Sequence, residues 1–299
     1  MTIAISLKIN DGLVLAADSA STMIQFHEIN GQSAVVNVYN NANKIFNLHK
    51  GLPIGAVTWG MGSIAGASIS TIVKDLRDRF SGKDAQHQDW KINPNNYSIE
   101  GVAKSLRQFV YEELYLPATK DWPDAAKPVI GFIVGGYSKY EGFAQKFAEE
   151  FIIQIMPDGK CAMPALLRQP DQSGATWSGE PEALNRLISG FGTKLPAILM
   201  TNFKLDPQQM SSLMMQIQQE TQMQMIVPAM PLQDAIDLAE FMVDTTINFS
   251  RFVPGPPTVG GPIEIAAISK HEGFRWVKRK YYFQRELNPS EDFDVHSGS

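Results

Sequence analysis

Thr2 and Asp18 stand at the two ends of one short segment, Thr2-Ile3-Ala4-Ile5-Ser6-Leu7-Lys8-Ile9-Asn10-Asp11-Gly12-Leu13-Val14-Leu15-Ala16-Ala17-Asp18. Asn10-Asp11-Gly12 between two apolar runs predicts a hairpin, because Asn and Gly tolerate the positive φ of a tight turn. A hairpin folds the ends of the segment together and sets a hydroxyl near a carboxylate. Removal of Met1 would leave Thr2 with a free α-amine on the same residue as its hydroxyl. Such an amine titrates near ~7.7–8.0 and can take the hydroxyl's proton close to neutral pH. Nucleophile, base and maturation step then all rest on one residue and its position.

The composition admits this chemistry and argues against others. The chain has 299 residues, 44% of them hydrophobic and 19% charged, which is enough for a globular chain with a sizeable core. A net charge of −5 speaks against nucleic acid or an anionic membrane as the main partner. Cys161 is the one cysteine, so no intrachain disulfide can form. It reads as a small apolar residue beside a strand rather than a nucleophile. No stretch reaches the length of a membrane span, and no basic, then apolar leader opens the sequence. The expected compartment is the cytoplasm. The histidines, His27, His49, His87, His271 and His296, show no zinc-binding spacing. His27-Glu28 reads as a solvated loop.

The elements that must position Thr2 and Asp18 follow from periodicity. After the hairpin at 3–8 and 13–17, extended segments are expected at 34–39, 44–48 and 54–59, the last ending in Gly60-Met61-Gly62-Ser63. Helices are expected up to about Phe80 and over 98–116. Strands resume at 129–137 and 147–156, with candidates at 162–167 and 175–178, and a short helix follows at 182–189. Asp206-Pro207 is a helix start, with an acceptor at the N-cap and proline at the first helical position. The Met- and Gln-rich helix after it reads as packed on its own subunit, rather than as an adaptable contact surface. An amphipathic helix at 232–250, strands at 263–268 and 274–278, and a loose polar tail complete the order. Arg275, Lys278, Arg279 and Lys280 read as the exposed face of that last hairpin. Strands at both ends with helices segregated between them predict an α+β domain of stacked layers.

Taken together, these residues resemble the N-terminal-nucleophile (Ntn) hydrolases of the proteasome β-subunit and HslV type. The matching pieces are Thr2, Leu13-Val14-Leu15-Ala16-Ala17-Asp18-Ser19, Lys44-Ile45-Phe46, and the strand ending Trp59-Gly60-Met61-Gly62. Trp177-Ser178-Gly179 before a helix and Gly260-Gly261-Pro262-Ile263-Glu264 follow in the same order, so nearly the whole chain is covered. The resemblance implies a four-layer αββα sandwich, two antiparallel sheets between helix layers, as a single domain over 1–286. The segments at 19–43 and 193–230 would be insertions, and 287–299 a flexible tail.

The same resemblance implies roles. Thr2 matches the nucleophile, Asp18 the acid paired with the active-site lysine, and Lys44 that lysine. Gly60 matches the oxyanion donor, with Trp59 one register away, and Ser178 a serine that helps move protons near the α-amine. Lys44 close by would lower the amine's pKa by like-charge repulsion, and an oxyanion donor is worth about 2.7–4 kcal/mol. The implied reaction is amide hydrolysis through an acyl-enzyme, with no metal and no organic cofactor. The implied partners are a peptide or unfolded protein, further copies of the chain in a ring or stack, and an ATP-driven unfoldase. The chain departs from the pattern at Val259, Pro256 and Ala20, where Ser, Asp and Arg are usual. Two other readings therefore stand beside it: an inactive assembly subunit, and a small-molecule amidase on the same fold. Taken singly, Thr2 is a residue beside a start codon, Asp18 and Ser178 are turn residues, Lys44 is a solvated lysine, and Gly60 ends a strand.

Overall fold

The hairpin forms as the sequence predicts: β1 (Ile3–Ile9) pairs antiparallel with β2 (Gly12–Ala17), Ile9 opposite Gly12 and Ala4 opposite Ala17. The computed structural model describes residues 2–27 and 32–281. The predicted tail at 287–299, Glu28 of the His27-Glu28 loop, and His296 lie outside the described residues. β3 (Ser21–His27) and β4 (Gln32–Tyr39) pair with each other as a two-stranded ribbon, which accounts for most of the 19–43 insertion.

β5 (Ile45–Asn47) and β6 (Ile54–Gly60) follow, then a two-residue ribbon, β7 (Ser63–Ile64) with β8 (Ala67–Ser68). α1 (Ile69–Phe80) therefore begins later than its apolar spacing suggests, where the Ser68 hydroxyl accepts from Thr71 N at 3.1 Å. α2 (Ile99–Arg107) starts at the Ser98 cap and runs into a π-helical stretch, Gln108–Tyr115, and then α3 (Leu116–Thr119). Pro117 lies in the first turn of α3 and has no N–H to donate, so the regular ladder cannot run through it.

The sheet resumes with β9 (Ile130–Gly136), the ribbon β10 (Lys139–Tyr140) with β11 (Phe143–Ala144), β12 (Glu149–Ile155), β13 (Ala165–Leu166) and β14 (Gly174–Gly179). Then come α4 (Glu182–Leu184) with a π turn at Asn185–Ser189, α5 (Leu195–Phe203), α6 (Pro207–Thr221) and α7 (Leu232–Phe252). β15 (Glu264–Ser269) and β16 (Gly273–Lys278) close the order. The architecture is mixed α/β with antiparallel sheets. One five-stranded sheet runs β14-β1-β2-β15-β16 and the other β13-β12-β9-β6-β5.

Side-chain alternation divides the core, because successive strand residues point to opposite faces. Val14 and Ala16 of β2, with Ile3, Ile5 and Leu7 of β1, pack against Ala235, Ala239 and Val243 of α7. Ile54 and Ala56 of β6 pack with Ile72 and Leu76 of α1 and Leu106 of α2. Leu13 and Leu15 of β2 meet Val57, Trp59 and Ile133 of the other sheet in a third cluster. Only one arrangement satisfies all three sets, since a one-residue slip in β2 would exchange its two faces.

α6 begins at the Asp206-Pro207 signal, with a complete capping box between Asp206 and Gln209. It packs on its own chain, where Thr221 Oγ1 donates to the Ser189 carbonyl at 2.6 Å. Met210 is its one fully buried residue, and it lies on α5, none of whose residues is fully buried. Met215 and Met223 are exposed, while Met225 and Met230, beyond α6, pack against the cluster of α7, β1 and β2. Among the described residues no helix is long and apolar enough to cross a membrane.

Candidate active site

Strand pairing sets the neighbours of Thr2. It precedes β1 directly, between the ends of β14 and β2, and its carbonyl accepts from Glu180 N at 2.7 Å. Ala4 is opposite both Ser178 and Ala17, so Asp18 and Gly179 flank Ile3, the residue after Thr2. Gly179 is required there: its φ is +103°, and a Cβ would overlap the Thr2 carbonyl oxygen. Gly179→Ala is expected to shift Thr2, costing about 1–3 kcal/mol in stability from backbone strain. On the expectation that Thr2 is a nucleophile, the same shift should lower kcat/KM about 10²-fold, as a misplacement near 1 Å does. Comparing denaturant midpoints with kinetics for that variant checks both figures.

Asp18 is completely buried and its carboxylate is fully used. Oδ1 accepts from Ile3 N at 3.0 Å and from Lys44 Nζ at 2.6 Å, while Oδ2 accepts from Ala20 N at 3.1 Å and Gly260 N at 3.0 Å. The Lys44 ammonium and the amide joining residues 2 and 3 thus share one oxygen. Lys44 itself is 7% exposed along its side chain. Its carbonyl accepts from Thr58 N at 2.9 Å, which ties it to β6. Burial pushes the Lys44 ammonium below the ordinary lysine value of 10.5, and the Asp18 carboxylate pulls part of the way back.

Thr2, Gly60, Ser178 and Gly179 line a cleft of about 400 Å³, whose remaining walls are Trp59, Val129 and Gln154. Gly60 ends β6 with φ +92°, and a Cβ on it would run into the Val129 carbonyl. Trp59 and Gln154 both lie opposite Gly131 in the sheet, and a side chain on Gly131 would collide with the Trp59 indole. The absence of a side chain at 131 therefore leaves room for the indole, which forms part of the cleft wall. Among the described residues, none that lines the cleft carries a charged side chain.

All five residues singled out from sequence are thus gathered at one end of the sheets: Thr2, Gly60 and Ser178 on the cleft, Asp18 and Lys44 joined behind it. Sequence reasoning did not find Val129 or Gln154 and gave Gly179 no role beyond its motif. It also misplaced Lys280. Read as part of an exposed basic face, the Lys280 side chain is 7% exposed and forms an ion pair with Glu264 at 3.0 Å. The one available signal was Glu264, a carboxylate inside the apolar run of β15 that had to find a cation. Val259 is buried in the α7 core and offers no hydroxyl, while Gly260 beside it donates its N–H to Asp18. Among the described residues no group of three or more His, Cys, Asp or Glu side chains is gathered to hold a metal ion.

No protein-family model and no curated protein matches the chain. Among solved structures it is similar to an Anbu (Gly-1) mutant from Hyphomicrobium sp. strain MC1, with 16% identity and a TM-score of 0.45. That match covers 94% of this chain and 86% of the other.

Proposed function

We propose that the protein is a threonine-type Ntn hydrolase, a proteasome-like peptidase that cleaves amide bonds through an acyl-enzyme on Thr2 once Met1 is removed. One observation carries the reading: Lys44 Nζ and the Ile3 amide share a buried Asp18 oxygen, and Thr2 opens on an uncharged cleft. In this reading the Thr2 hydroxyl attacks the amide carbonyl and its proton passes to the free α-amine. The C–N bond then breaks, the leaving amine takes that proton, and water releases the acyl group. Lys44 holds positive charge near the α-amine and keeps it neutral, and Asp18 holds Lys44. The Gly60 N–H is the oxyanion donor, and Ser178 relays protons along the cleft wall.

The same reading takes the two sheets as the inner layers of an αββα sandwich forming one domain over 1–286. It takes the partners as a peptide or unfolded protein, further copies of the chain in a ring or stack, and an ATP-driven unfoldase, in the cytoplasm. The test is the intact mass of the protein before and after a peptide epoxyketone. Loss of Met1 with a single adduct at Thr2 is the expected result. Retained Met1 and no adduct would overturn it in favour of an inactive assembly subunit.

A pH profile gives an independent check. Deprotonating Lys44 removes the charge that Asp18 holds, so activity should fall on the alkaline side at a pH below 10.5. Stability should move the other way over that window. The unfolded chain keeps this proton up to about pH 10.5 and the folded chain does not, so the unfolded state binds more protons and the Lys44 contribution rises with pH. Turnover and urea midpoints measured from pH 7 upward should diverge in wild type. A Lys44→Met variant should lose the stability trend.

A further inference from the structure

We infer that Lys280 is a positioning residue for the Asp18–Lys44 pair, clamping together the two chain segments that carry them. Its catalytic consequence rests on the threonine-nucleophile reading; the clamp itself does not. Asp18 and Lys44 are 26 residues apart, and the β3–β4 ribbon leaves the body of the protein between them. Something must close the base of that ribbon, or the two partners would not keep a fixed separation.

Two contacts close it. Ala42 N donates to Ser19 O at 2.9 Å. Lys280 Nζ then donates to both sides of the gap, to Ser19 Oγ at 2.6 Å and to the Ala42 carbonyl at 2.6 Å. Ser19 follows Asp18 directly, and Ala42 lies two residues ahead of Lys44. The Ser19 hydroxyl passes its own proton to the Pro262 carbonyl at 2.6 Å, so it is locked as acceptor toward Lys280. Glu264 Oε2 lies 3.0 Å from the same ammonium as its ion-pair partner.

A buried ammonium costs several kcal/mol unless it is paired, so this arrangement is not a surface accident. It draws the end of the last hairpin inward and fastens it across the site. It also sets a second cation near the first. The charged groups around Lys44 are Asp18, Lys280 and Glu264, and those around Lys280 are Glu264, Asp18, Arg279 and Lys44 itself. Lys280 acts on Lys44 as a like charge and weakens its hold on a proton.

The test compares Lys280→Met with Lys280→Arg in the full chain and follows the Lys44 side chain by NMR with carbon-13-labelled lysine. The Lys44 resonance is assigned by its loss in Lys44→Met. In Lys280→Met the Lys44 titration midpoint should move up, and in Lys280→Arg it should stay near wild type. On the enzymatic side kcat should fall about 10- to 10²-fold in Lys280→Met, with KM little changed, and recover in Lys280→Arg. If Lys280→Met does not fold, Lys280→Met with Glu264→Gln removes the orphaned carboxylate. A smaller upward shift is expected there, because Glu264→Gln also removes a carboxylate that favours the Lys44 proton. An unmoved Lys44 midpoint in a folded variant overturns the inference. A moved midpoint in a protein whose Thr2 never reacts upholds the placement of Lys280 against the Asp18–Lys44 pair and overturns the threonine-nucleophile reading instead.

Discussion

Thr2→Ala should abolish both turnover and epoxyketone capture while leaving the fold in place. The substitution removes the hydroxyl and one methyl from a side chain that is almost wholly buried. The backbone bonds that hold the position are untouched, since Glu180 N still reaches the residue 2 carbonyl and Ile3 N still reaches Asp18. The stability loss should stay near about 1 kcal/mol, the usual scale for a point substitution. The activity loss should be on the order of 10⁴ or more, as for removal of a nucleophile that works as one unit with its base. Thr2→Ser keeps a hydroxyl and should keep measurable turnover. Intact mass, circular dichroism and hydrolysis of a fluorogenic peptide on the three proteins decide the matter. Unchanged turnover in Thr2→Ala would remove the nucleophile from the account. Turnover of small amides but not of peptides would move the assignment to an amidase.

The parts of this site legible in the sequence are those that local rules determine. Asn10-Asp11-Gly12 sets the first hairpin, and that hairpin alone brings Asp18 beside the start of β1. Strand alternation then decides which residues of β1 and β2 face α7 and which face the second sheet. Lys44 could be matched across the ribbon because a short strand follows it at once. Lys280 carried no comparable signal. It lies beyond the last strand in a run of basic residues, and its burial depends on Ser19, Ala42 and Glu264, which come from three distant stretches of chain. Gln154 and Val129 escaped for the same reason, since they reach the cleft through the order of strands in the second sheet. The surface position of α5 and α6 was also hidden. The spacing of Leu213, Met214 and Ile217 marks an apolar face but does not say what lies against it.

Asp18→Asn should be the more damaging change for the protein as a whole, although it is nearly isosteric. The carboxylate receives two donors on each oxygen: Ile3 N and Lys44 Nζ on Oδ1, Ala20 N and Gly260 N on Oδ2. Asparagine has one acceptor oxygen and one donor group. Whichever way the amide turns, its NH₂ must face two donors that had been accepted. If the oxygen stays on the Lys44 side, Ala20 and Gly260 lose their partner and the loop that fastens Ser19 is released. If it turns away, the Lys44 ammonium is buried against another donor. Either way the charge that held Lys44 is gone, and breaking a buried pair from one side costs about 3–5 kcal/mol. The Lys44 proton should then be held less firmly still, so the alkaline limb of the pH profile should move to lower pH in whatever activity survives. Lys44→Met with Asp18→Asn should be less unstable than Asp18→Asn alone, because the stranded cation is removed with its partner. Urea midpoints for the two single variants and the double variant measure that coupling. Strict additivity would mean that the pair seen at 2.6 Å contributes nothing to the stability of the fold.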